Sequence, residues 1–191
     1  RSNGLNGGIY VLSSNETIIT QNIISDNPDI GIYLAAPDAV NPGSSYNIIS
    51  SNTITNNRDG GIKISGPSIF NEILNNIISN NSFFFGTAGV SIVFTDDNII
   101  SDNVVEGNDV GLSVFGPNTS ILRNYVNNNV QSHGIEVFGA NNTIIENNAH
   151  NNNWDGILLI TSNSKILNNN ISGNRNGMNL QGSNENIIEN N

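Results

Sequence analysis

Two residues suited to proton transfer stand at equivalent places in the sequence. His133 and Asp155 each come directly before a glycine that begins a short apolar run, in HGIEV and DGILL. If such places lie side by side in the fold, the two side chains are about 5 Å apart. A histidine polarised by a carboxylate can act as a general base or acid near neutral pH. Glu136 would add a second carboxylate, and glycoside hydrolysis uses two.

Trp154 and Arg175 form a second pair of equivalent places, each two residues before a glycine. Neighbouring Trp and Arg side chains can stack as a cation–π pair. In a carbohydrate site, Trp154 would be a platform for a sugar ring and Arg175 would hold a uronate or a sulfate. The alternative is structural: His133 and Asp155 are turn residues, Trp154 packs on its neighbour, and Arg175 screens an acidic surface.

These places are defined by a repeat that runs along the chain. Each unit begins with a glycine and a short alternating strand, continues through a turn to an apolar pair, and ends with an isolated apolar residue between asparagines. The spacing between successive glycines is 21 to 30 residues. The leading glycines are Gly8, Gly31, Gly61, Gly89, Gly111, Gly134, Gly156 and Gly177. Alternation and β-branched residues predict three short strands in each unit.

A unit of this size cannot bury its apolar side chains alone, so the units must stack on one another. The sequence therefore predicts an all-β fold, a single-stranded right-handed parallel β-helix of about eight coils, with coils about 4.8 Å apart. We expect residues 1–191 to form one such domain, a piece of a longer protein. Its open ends would be covered by flanking domains or by another copy, because bare strand edges invite pairing.

About one residue in five is asparagine, and the β-helix gives this residue a use. Asparagine tolerates the left-handed backbone of tight corners, and its amide can bond to the equivalent amide one coil away. We predict two asparagine ladders. The first contains Asn22, Asn52, Asn76 and Asn103, and the second contains Asn27, Asn57, Asn81, Asn108, Asn129, Asn153 and Asn174.

Two long segments border the strands that follow the glycines, AAPDAVNPGSSY at residues 35–46 and SFFFGTA at residues 82–88. Long loops on a rigid solenoid often carry function, so we place a substrate groove on this face. A second candidate pocket would lie between the two loops. Its residues would be Tyr33, Arg58, Asp59 and Lys63, with Phe83, Phe84 and Phe85 as a wall. Alternatively, the three phenylalanines cover the rod locally or pack on an absent part of the protein.

Metal chemistry has little support in the sequence. There is no cysteine, which excludes cysteine-based metal sites. Asp29, Asp59 and Asp109 stand at equivalent corners and would suit Ca²⁺, which prefers oxygen ligands. The simpler interpretation is that each aspartate supports its own turn. We otherwise expect no cofactor.

The pattern N-x-I-x-x-N-x-x-G-I-x-L, seen in NTITNNRDGGIKI and NVVEGNDVGLSV, resembles the NosD-like and carbohydrate-active β-helix repeat proteins. The acidic, Asn-rich and Ile-rich style is most similar to archaeal surface members such as the disaggregatases. The resemblance implies the β-helix fold and an activity among polysaccharide lyases, mannuronan epimerases, glycoside hydrolases or copper delivery. It covers the whole chain, but a fold that hosts many chemistries does not assign one.

The net charge of −10 argues against a nucleic-acid partner and against anionic membranes. No stretch is apolar enough to span a bilayer. From the resemblance, the two long loops on one face and the residues around Trp154, we expect an extracellular or cell-surface domain that cleaves a polysaccharide by hydrolysis or elimination. The scarcity of basic residues favours hydrolysis or a weakly charged glycan. The alternative is a non-catalytic surface stalk or glycan-binding module. Copper delivery ranks last, because the chain has two His and one Met.

Overall fold

The computed structural model describes residues 7–38, 41–81 and 87–191. The described residues form 23 short strands and no helix. These strands wind into a right-handed parallel β-solenoid of about eight coils, with three sheets running along its length, which confirms the predicted fold. Consequently, no described segment is a helix able to cross a membrane.

The first sheet contains the strands that follow the leading glycines, and every neighbour in it is parallel and one coil away. Its strands are β1 (Ile9–Leu12), β4 (Ile32–Ala35), β7 (Ile62–Ser65), β10 (Ala88–Val93), β13 (Val110–Val114), β16 (Ile135–Val137), β19 (Asp155–Leu159) and β22 (Asn176–Leu180).

The second sheet contains the apolar pairs, and the third contains the isolated apolar residues between asparagines. The second sheet is β2 (Ile18–Thr20), β5 (Ile48–Ser50), β8 (Glu72–Leu74), β11 (Ile99–Ser101), β14 (Ser120–Leu122), β17 (Thr143–Ile145), β20 (Lys165–Leu167) and β23 (Ile187–Glu189). The third sheet is β3 (Ile23–Ser25), β6 (Thr53–Thr55), β9 (Ile77–Ser79), β12 (Val104–Glu106), β15 (Tyr125–Asn127), β18 (Asn148–His150) and β21 (Asn170–Ser172).

The core is a column of inward side chains from all three sheets. In one coil, Leu112, Val114, Ile121 and Val126 are fully buried. The neighbouring coils place Ile or Val in register above and below most of these positions, as in the pairing of Val114 with Val137. Each such side chain contributes about 1.5–3 kcal/mol of burial free energy, so the apolar periodicity alone is sufficient to fix the orientation of the strands.

The first asparagine ladder is confirmed and runs the length of the rod. In a typical step, the Asn52 side chain donates to Asn76 Oδ1 at 3.0 Å and to the carbonyl of Ile19 at 2.9 Å. The Asn52 backbone N–H donates to the same Asn76 oxygen at 2.9 Å. Each amide therefore satisfies backbone groups that a sharp corner would leave unpaired. The ladder contains Asn22, Asn52, Asn76, Asn103, Asn124, Asn147, Asn169 and Asn191.

One predicted member of the second ladder is wrong. Asn152, and not Asn153, belongs to this ladder. Asn129 donates to Asn152 Oδ1 at 2.8 Å, and Asn152 donates to Asn174 Oδ1 at 3.0 Å, whereas Asn153 is exposed. The ladder residue comes two positions after each strand of the third sheet, as Asn152 follows His150. Counting back from the next leading glycine gives the wrong residue, because the corner between the ladder residue and that glycine varies in length from coil to coil.

A third ladder, which the sequence interpretation missed, lies before the second sheet. It contains Asn47, Asn71 and Asn98, and further along Thr119, Asn142, Ser164 and Asn186. The left-handed residue at each corner is the one before the ladder residue, such as Asn56 (φ 56°) before Asn57. The ladder and the left-handed turn therefore use different asparagines, and Arg123 (φ 51°) shows that other residues can take the second role.

The leading glycines are required by close packing. A Cβ on Gly111 would lie 2.3 Å from the carbonyl oxygen of Gly134 and 2.4 Å from Cγ1 of Val126. The same position in β22 is open, since a Cβ on Gly177 would meet its nearest atom, in Ile171, at 3.8 Å. Glycine thus allows the first sheet to approach the third inside the rod.

Candidate active site

The first sheet aligns equivalent residues of successive strands in a row. This row lies on the face that the sequence assigns to the substrate groove. Register places Ser113 beside Glu136, Glu136 beside Leu158, and Leu158 beside Asn179. His133 lies in the corner before β16, and Asp155 is the first residue of β19 on the next coil. Residues predicted to be equivalent therefore lie side by side on adjacent coils. The later coils bring polar side chains together on one face.

His133 and Asp155 are in contact. His133 Nδ1 lies 3.1 Å from Asp155 Oδ2, with side-chain exposures of 14% and 1%. The histidine is therefore the more exposed of the two side chains, and the aspartate lies behind it. The backbone N–H of Asp155 donates a hydrogen bond to the same Nδ1 atom at 3.3 Å.

Two asparagines donate to the buried carboxylate of Asp155. Asn176 Nδ2 lies 2.6 Å from Oδ1, and Asn179 Nδ2 lies 3.0 Å from Oδ2. The two amides thus hold the Asp155 carboxylate in a fixed place behind His133.

Glu136 is half-buried beside this pair, and its Oε1 accepts a 2.6 Å hydrogen bond from the Ser113 hydroxyl. Burial raises the pKa of Glu136, while the Ser113 hydrogen bond and the charge of His133 act in the opposite direction. A carboxyl with a raised pKa beside a histidine is suited to donating a proton.

The raised pKa predicts that Glu136→Gln stabilises the protein in a pH-dependent way. The stability associated with protonated Glu136 is fully present below the ordinary glutamate range and is lost as pH rises through the raised pKa. At about pH 8, Glu136→Gln should increase the free energy of unfolding by on the order of 1 kcal/mol, and at about pH 3 the gain should vanish. Urea unfolding of the variant and the unaltered protein at both pH values measures this difference in the free energy of unfolding.

The matched control is Glu185→Gln, which removes the same charge from an exposed glutamate. Both variants reduce the net negative charge equally, so the difference between them isolates the effect of burial. Equal stabilities for the two variants at about pH 8 would contradict the assigned environment of Glu136.

Trp154 and Arg175 are stacked, as the equivalent places predicted. Arg175 Cζ lies 4.9 Å from the centroid of the Trp154 ring, and the His133 ring meets the indole edge-on at 6.1 Å. Trp154 remains 45% exposed. Because Arg175 covers one ring face, a sugar must either stack on the remaining surface or displace the guanidinium.

The second candidate pocket is divided into two adjoining hollows. Asp59 and Lys63 line one of about 130 Å³, and Tyr33 lines the next, also of about 130 Å³, with Ile30 in both. Lys63 Nζ lies 5.3 Å from the Tyr33 ring centroid. Arg58 is exposed at the corner before Asp59. The proposed wall of Phe83, Phe84 and Phe85 lies outside the described residues.

The corner aspartates differ in environment. Asp29 Oδ1 accepts from the backbone of Ile30 at 2.8 Å, Asp59 is exposed, and Asp109 is 1% exposed with an Oδ2 atom that has no hydrogen-bond partner. Asp29 thus supports its own turn, as the simpler interpretation expects. Among residues 7–38, 41–81 and 87–191, no three His, Asp or Glu side chains converge as metal ligands would.

The structure adds three residues that the sequence interpretation did not assign to the site: Ser113, Asn176 and Asn179. All three stand in the rows that the repeat defines, so register could have placed them beside Glu136 and Asp155. Residue type did not distinguish them, because serine and asparagine occur at many corners and strands of this chain.

Comparison with known families gives two matches. Residues 1–105 match the family described as right handed beta helix region, and residues 67–191 match the family described as periplasmic copper-binding protein (NosD). No curated protein sequence resembles the chain closely enough to count as a relative.

Two solved structures have similar folds. The periplasmic alginate epimerase AlgG is 22% identical with a TM-score of 0.83, over 96% of this chain and 47% of that chain. The Azotobacter vinelandii mannuronan C-5 epimerase AlgE4 A-module is 18% identical with a TM-score of 0.82, over 94% of this chain and 52% of that chain. The chain thus spans about half the length of these proteins, and at such identities the likeness concerns the fold.

The side chains of this protein do not fit the copper of the NosD family description. The chain has no cysteine, its one methionine, Met178, packs against the core, and its two histidines are separated. His133 contacts Asp155 in the corner before the first sheet, and His150 meets Tyr125 edge-on at 4.8 Å on the third sheet. Copper sites use clustered sulfur and imidazole ligands, which these positions do not supply.

Proposed function

The chain belongs to the right-handed β-helix family and, through residues 67–191, to the NosD family, and from that premise we propose that it is a polysaccharide-active domain of an exported protein. The glycan lies along the first sheet, and His133 is the catalytic base. The single observation that carries this proposal is the His133–Asp155 contact, in which the accessible imidazole is backed by a buried carboxylate.

The geometry favours elimination over hydrolysis. Hydrolysis requires two carboxyl groups that both reach the glycosidic bond or its water. Asp155 is 1% exposed and behind His133, so Glu136 is the only carboxyl of the predicted trio that faces a substrate. One histidine base and one glutamic acid instead match proton abstraction next to a uronate carboxylate.

In this reaction, the imidazole of His133 takes the proton from the ring carbon next to the uronate carboxylate. The electron pair of that C–H bond forms a carbon–carbon double bond, and the linkage oxygen leaves with a proton from Glu136. Return of a proton to the opposite face of the same carbon would give an epimer without cleavage. The epimerase activity in the names of AlgG and AlgE4 supports including both outcomes.

Basic side chains on the same face would neutralise the uronate carboxylates. Arg175 stands beside Trp154 near the base, and Lys63 stands beside Tyr33 several coils away. The overall charge of −10 repels a polyanion, but salt screens that repulsion beyond about 8–10 Å. Trp154 and Tyr33 would supply apolar contact to sugar rings.

The test is to incubate the protein with polymannuronate, polyguluronate, polygalacturonate and an uncharged glucan. Ultraviolet absorbance detects unsaturated uronate, reducing-end assays detect cleavage, and proton NMR detects epimerised sugars. His133→Gln should lower activity on the productive polymer by about 100-fold or more. The control is His150→Gln, which changes the other histidine on the third sheet and should retain activity. Full activity of His133→Gln would overturn the proposal.

The alternative is a non-catalytic surface stalk or glycan-binding module. The regular coils and the shallow hollows around Tyr33 and Lys63 favour it. Measurable binding of one of the polymers, without new reducing ends, unsaturation or epimers, would select this alternative. Similarity to archaeal disaggregatases, cell-surface placement, flanking domains and contacts with another copy remain predictions.

A further inference from the structure

We propose that an apolar strip beside Glu136 selects a glycan in which uronates alternate with neutral sugars that carry a methyl group. The strip is formed by Val93, Phe115, Phe138 and Ile160, with Phe94 at its margin. This inference rests on the proposed function, in which a uronate-containing glycan lies along the first sheet. It adds the chemistry of the sugars on the side of the groove away from Trp154.

The register of the first sheet places the strip on the face of the proposed groove. The four strip residues come directly after the register partners Ile92, Val114, Val137 and Leu159, on four adjacent coils. Phe138 is two residues after Glu136, and Phe115 is two residues after Ser113. Residues two apart in a strand lie on the same face, about 7 Å from each other. The strip therefore extends over the coil that carries His133 and Glu136 and over its neighbours on both sides.

The aromatic side chains of the strip are exposed and stacked on one another. The centroids of the Phe115 and Phe138 rings are 4.4 Å apart with an interplanar angle of 9°, and Phe115 remains 40% exposed. Phe94 is 79% exposed, and its ring centroid lies 6.4 Å from that of Phe115. Because the stacked rings come from adjacent coils, their faces cover each other and their edges remain exposed. Such edges suit a small apolar group better than the whole face of a sugar.

The fold does not require a phenylalanine at position 94. The backbone of Phe94 is left-handed, at φ 53°, and this conformation favours glycine. Gly66 occupies the equivalent place one coil earlier, at φ 72°. The Phe94 side chain also lies outside the hydrophobic core. An exposed aromatic side chain at a position of this kind points to contact with a ligand.

The strip differs from the opposite edge of the same face in charge and hydrogen-bonding capacity. The side chains of valine, phenylalanine and isoleucine offer no polar atom over four coils, and the polar residues Ser65 and Gln181 follow at the two ends of the strip. The guanidinium of Arg175 stands instead beside Trp154, at the corner before the strands. The two edges of a glycan that lies over Glu136 therefore meet unlike surroundings.

A uronate carboxylate over the strip would be unfavourable. It would lose water without gaining a hydrogen bond or a cation, whereas a methyl group in the same place would gain burial free energy. A polymer made only of uronates carries a carboxylate on every sugar, and an extended chain directs these groups to both of its edges. A mixed polymer can direct its carboxylates towards Arg175 and its methyl groups towards the strip. The coil spacing of about 4.8 Å is comparable with the length of one sugar, so successive sugars meet successive strip residues.

A hollow at the Val93 end of the strip has the same preference. Its volume is about 350 Å³, and its lining includes Val93, Phe94, Pro67 and Asp38. The Asp38 carboxylate would repel a uronate, and the apolar side chains would leave it without a partner. The hollow therefore also suits a neutral sugar.

The experiment is isothermal titration calorimetry of the whole chain with two matched pairs of glycan fragments of equal length. Hyaluronan, in which glucuronate alternates with N-acetylglucosamine, is compared with polyglucuronate. The rhamnogalacturonan backbone, in which galacturonate alternates with the deoxy sugar rhamnose, is compared with polygalacturonate. The mixed member of at least one pair should bind about 10-fold more tightly, which is the effect of burying one or two methyl groups. A preference in one pair alone assigns the methyl group to an N-acetyl sugar or to a deoxy sugar.

Phe115→Ser should abolish this preference, and Phe70→Ser is its matched control. Phe70 is also exposed, but it stacks on Tyr46 at the corner before the second sheet, away from the strip. Phe94→Ser guards against a folding failure of Phe115→Ser and should reduce the preference by about 3-fold, because it removes apolar contact at the margin of the strip. Far-ultraviolet circular dichroism establishes that each variant is folded.

Phe115→Lys should act in the opposite direction, because it places a cation within the strip. It should strengthen the binding of polyglucuronate and polygalacturonate more than Phe70→Lys, which adds the same charge elsewhere. Equal affinities within both pairs, binding of none of the four polymers, or an unchanged preference in every folded strip variant would overturn the selective role of the strip.

Turnover of the same polymers separates this inference from the proposed function. If the mixed polymers bind with the expected preference but the unaltered protein yields no cleavage, unsaturation or epimers, the selective role of the strip stands and the proposed function fails. If a polymer is turned over and the strip variants keep the affinities of the unaltered protein, the proposed function stands and the selective role fails.

Discussion

Replacement of Asn152 by alanine should lower the free energy of unfolding by about 4 kcal/mol. Asn152 is 2% exposed and its side chain makes four hydrogen bonds to the coils on either side. Alanine would leave the backbone N–H and side-chain amide of Asn129 and the carbonyl of Val126 without these partners inside the rod. Buried groups left in that state cost about 1–3 kcal/mol each. Urea unfolding followed by circular dichroism provides the measurement.

Asn153→Ala is the matched control, since it makes the same chemical change one residue further along the chain. Asn153 is exposed, so its replacement should alter the free energy of unfolding by about 0.5 kcal/mol or less. Equal losses for the two variants, or a larger loss for Asn153→Ala, would contradict the ladder assigned here.

Gly111→Ala should cost about 3 kcal/mol, at the upper end of the usual effect of overpacking. The added Cβ would be placed 2.3 Å from a backbone carbonyl oxygen and 2.4 Å from a core methyl group. The obstacle is backbone as well as side chain, so rotation of a flexible group cannot relieve it. The shift would have to separate β13 from β16 or the first sheet from the third. Thermal and urea unfolding would both detect the loss.

The control for this variant is Gly177→Ala, at the equivalent position of β22. Its Cβ would be 3.8 Å from the nearest atom, an ordinary contact distance. The expected change is within about 0.5 kcal/mol. A loss at Gly177 as large as that at Gly111 would indicate that backbone conformation, and not close packing, explains the leading glycines.

The coil architecture could be predicted from the sequence because one physical rule governs every repeat. Apolar alternation fixes which side of a strand faces the core, and stacking then aligns equivalent residues. That rule was sufficient to place His133 beside Asp155 and Trp154 beside Arg175. It failed for Asn153, because register in the second ladder follows the preceding strand of the third sheet and not the next glycine.

The details of the candidate site depend on side-chain direction and burial, which the equivalence of sequence positions does not specify. The sequence gives Asp155 and Glu136 the same chemical type, but the structure buries one behind His133 and leaves the other half-buried beside Ser113. The same limit explains why Asn176 and Asn179 were missed. Their importance comes from two oxygen atoms that are accessible only from the adjacent coil.

The corner between the third and first sheets differs in length from coil to coil. Two residues separate Asn108 from Gly111, four separate Asn129 from Gly134, and three separate Asn152 from Gly156. The ladders and the stacked core tolerate these differences. Insertions and deletions can therefore accumulate at this corner during evolution and remodel the surface around His133 while the scaffold stays the same.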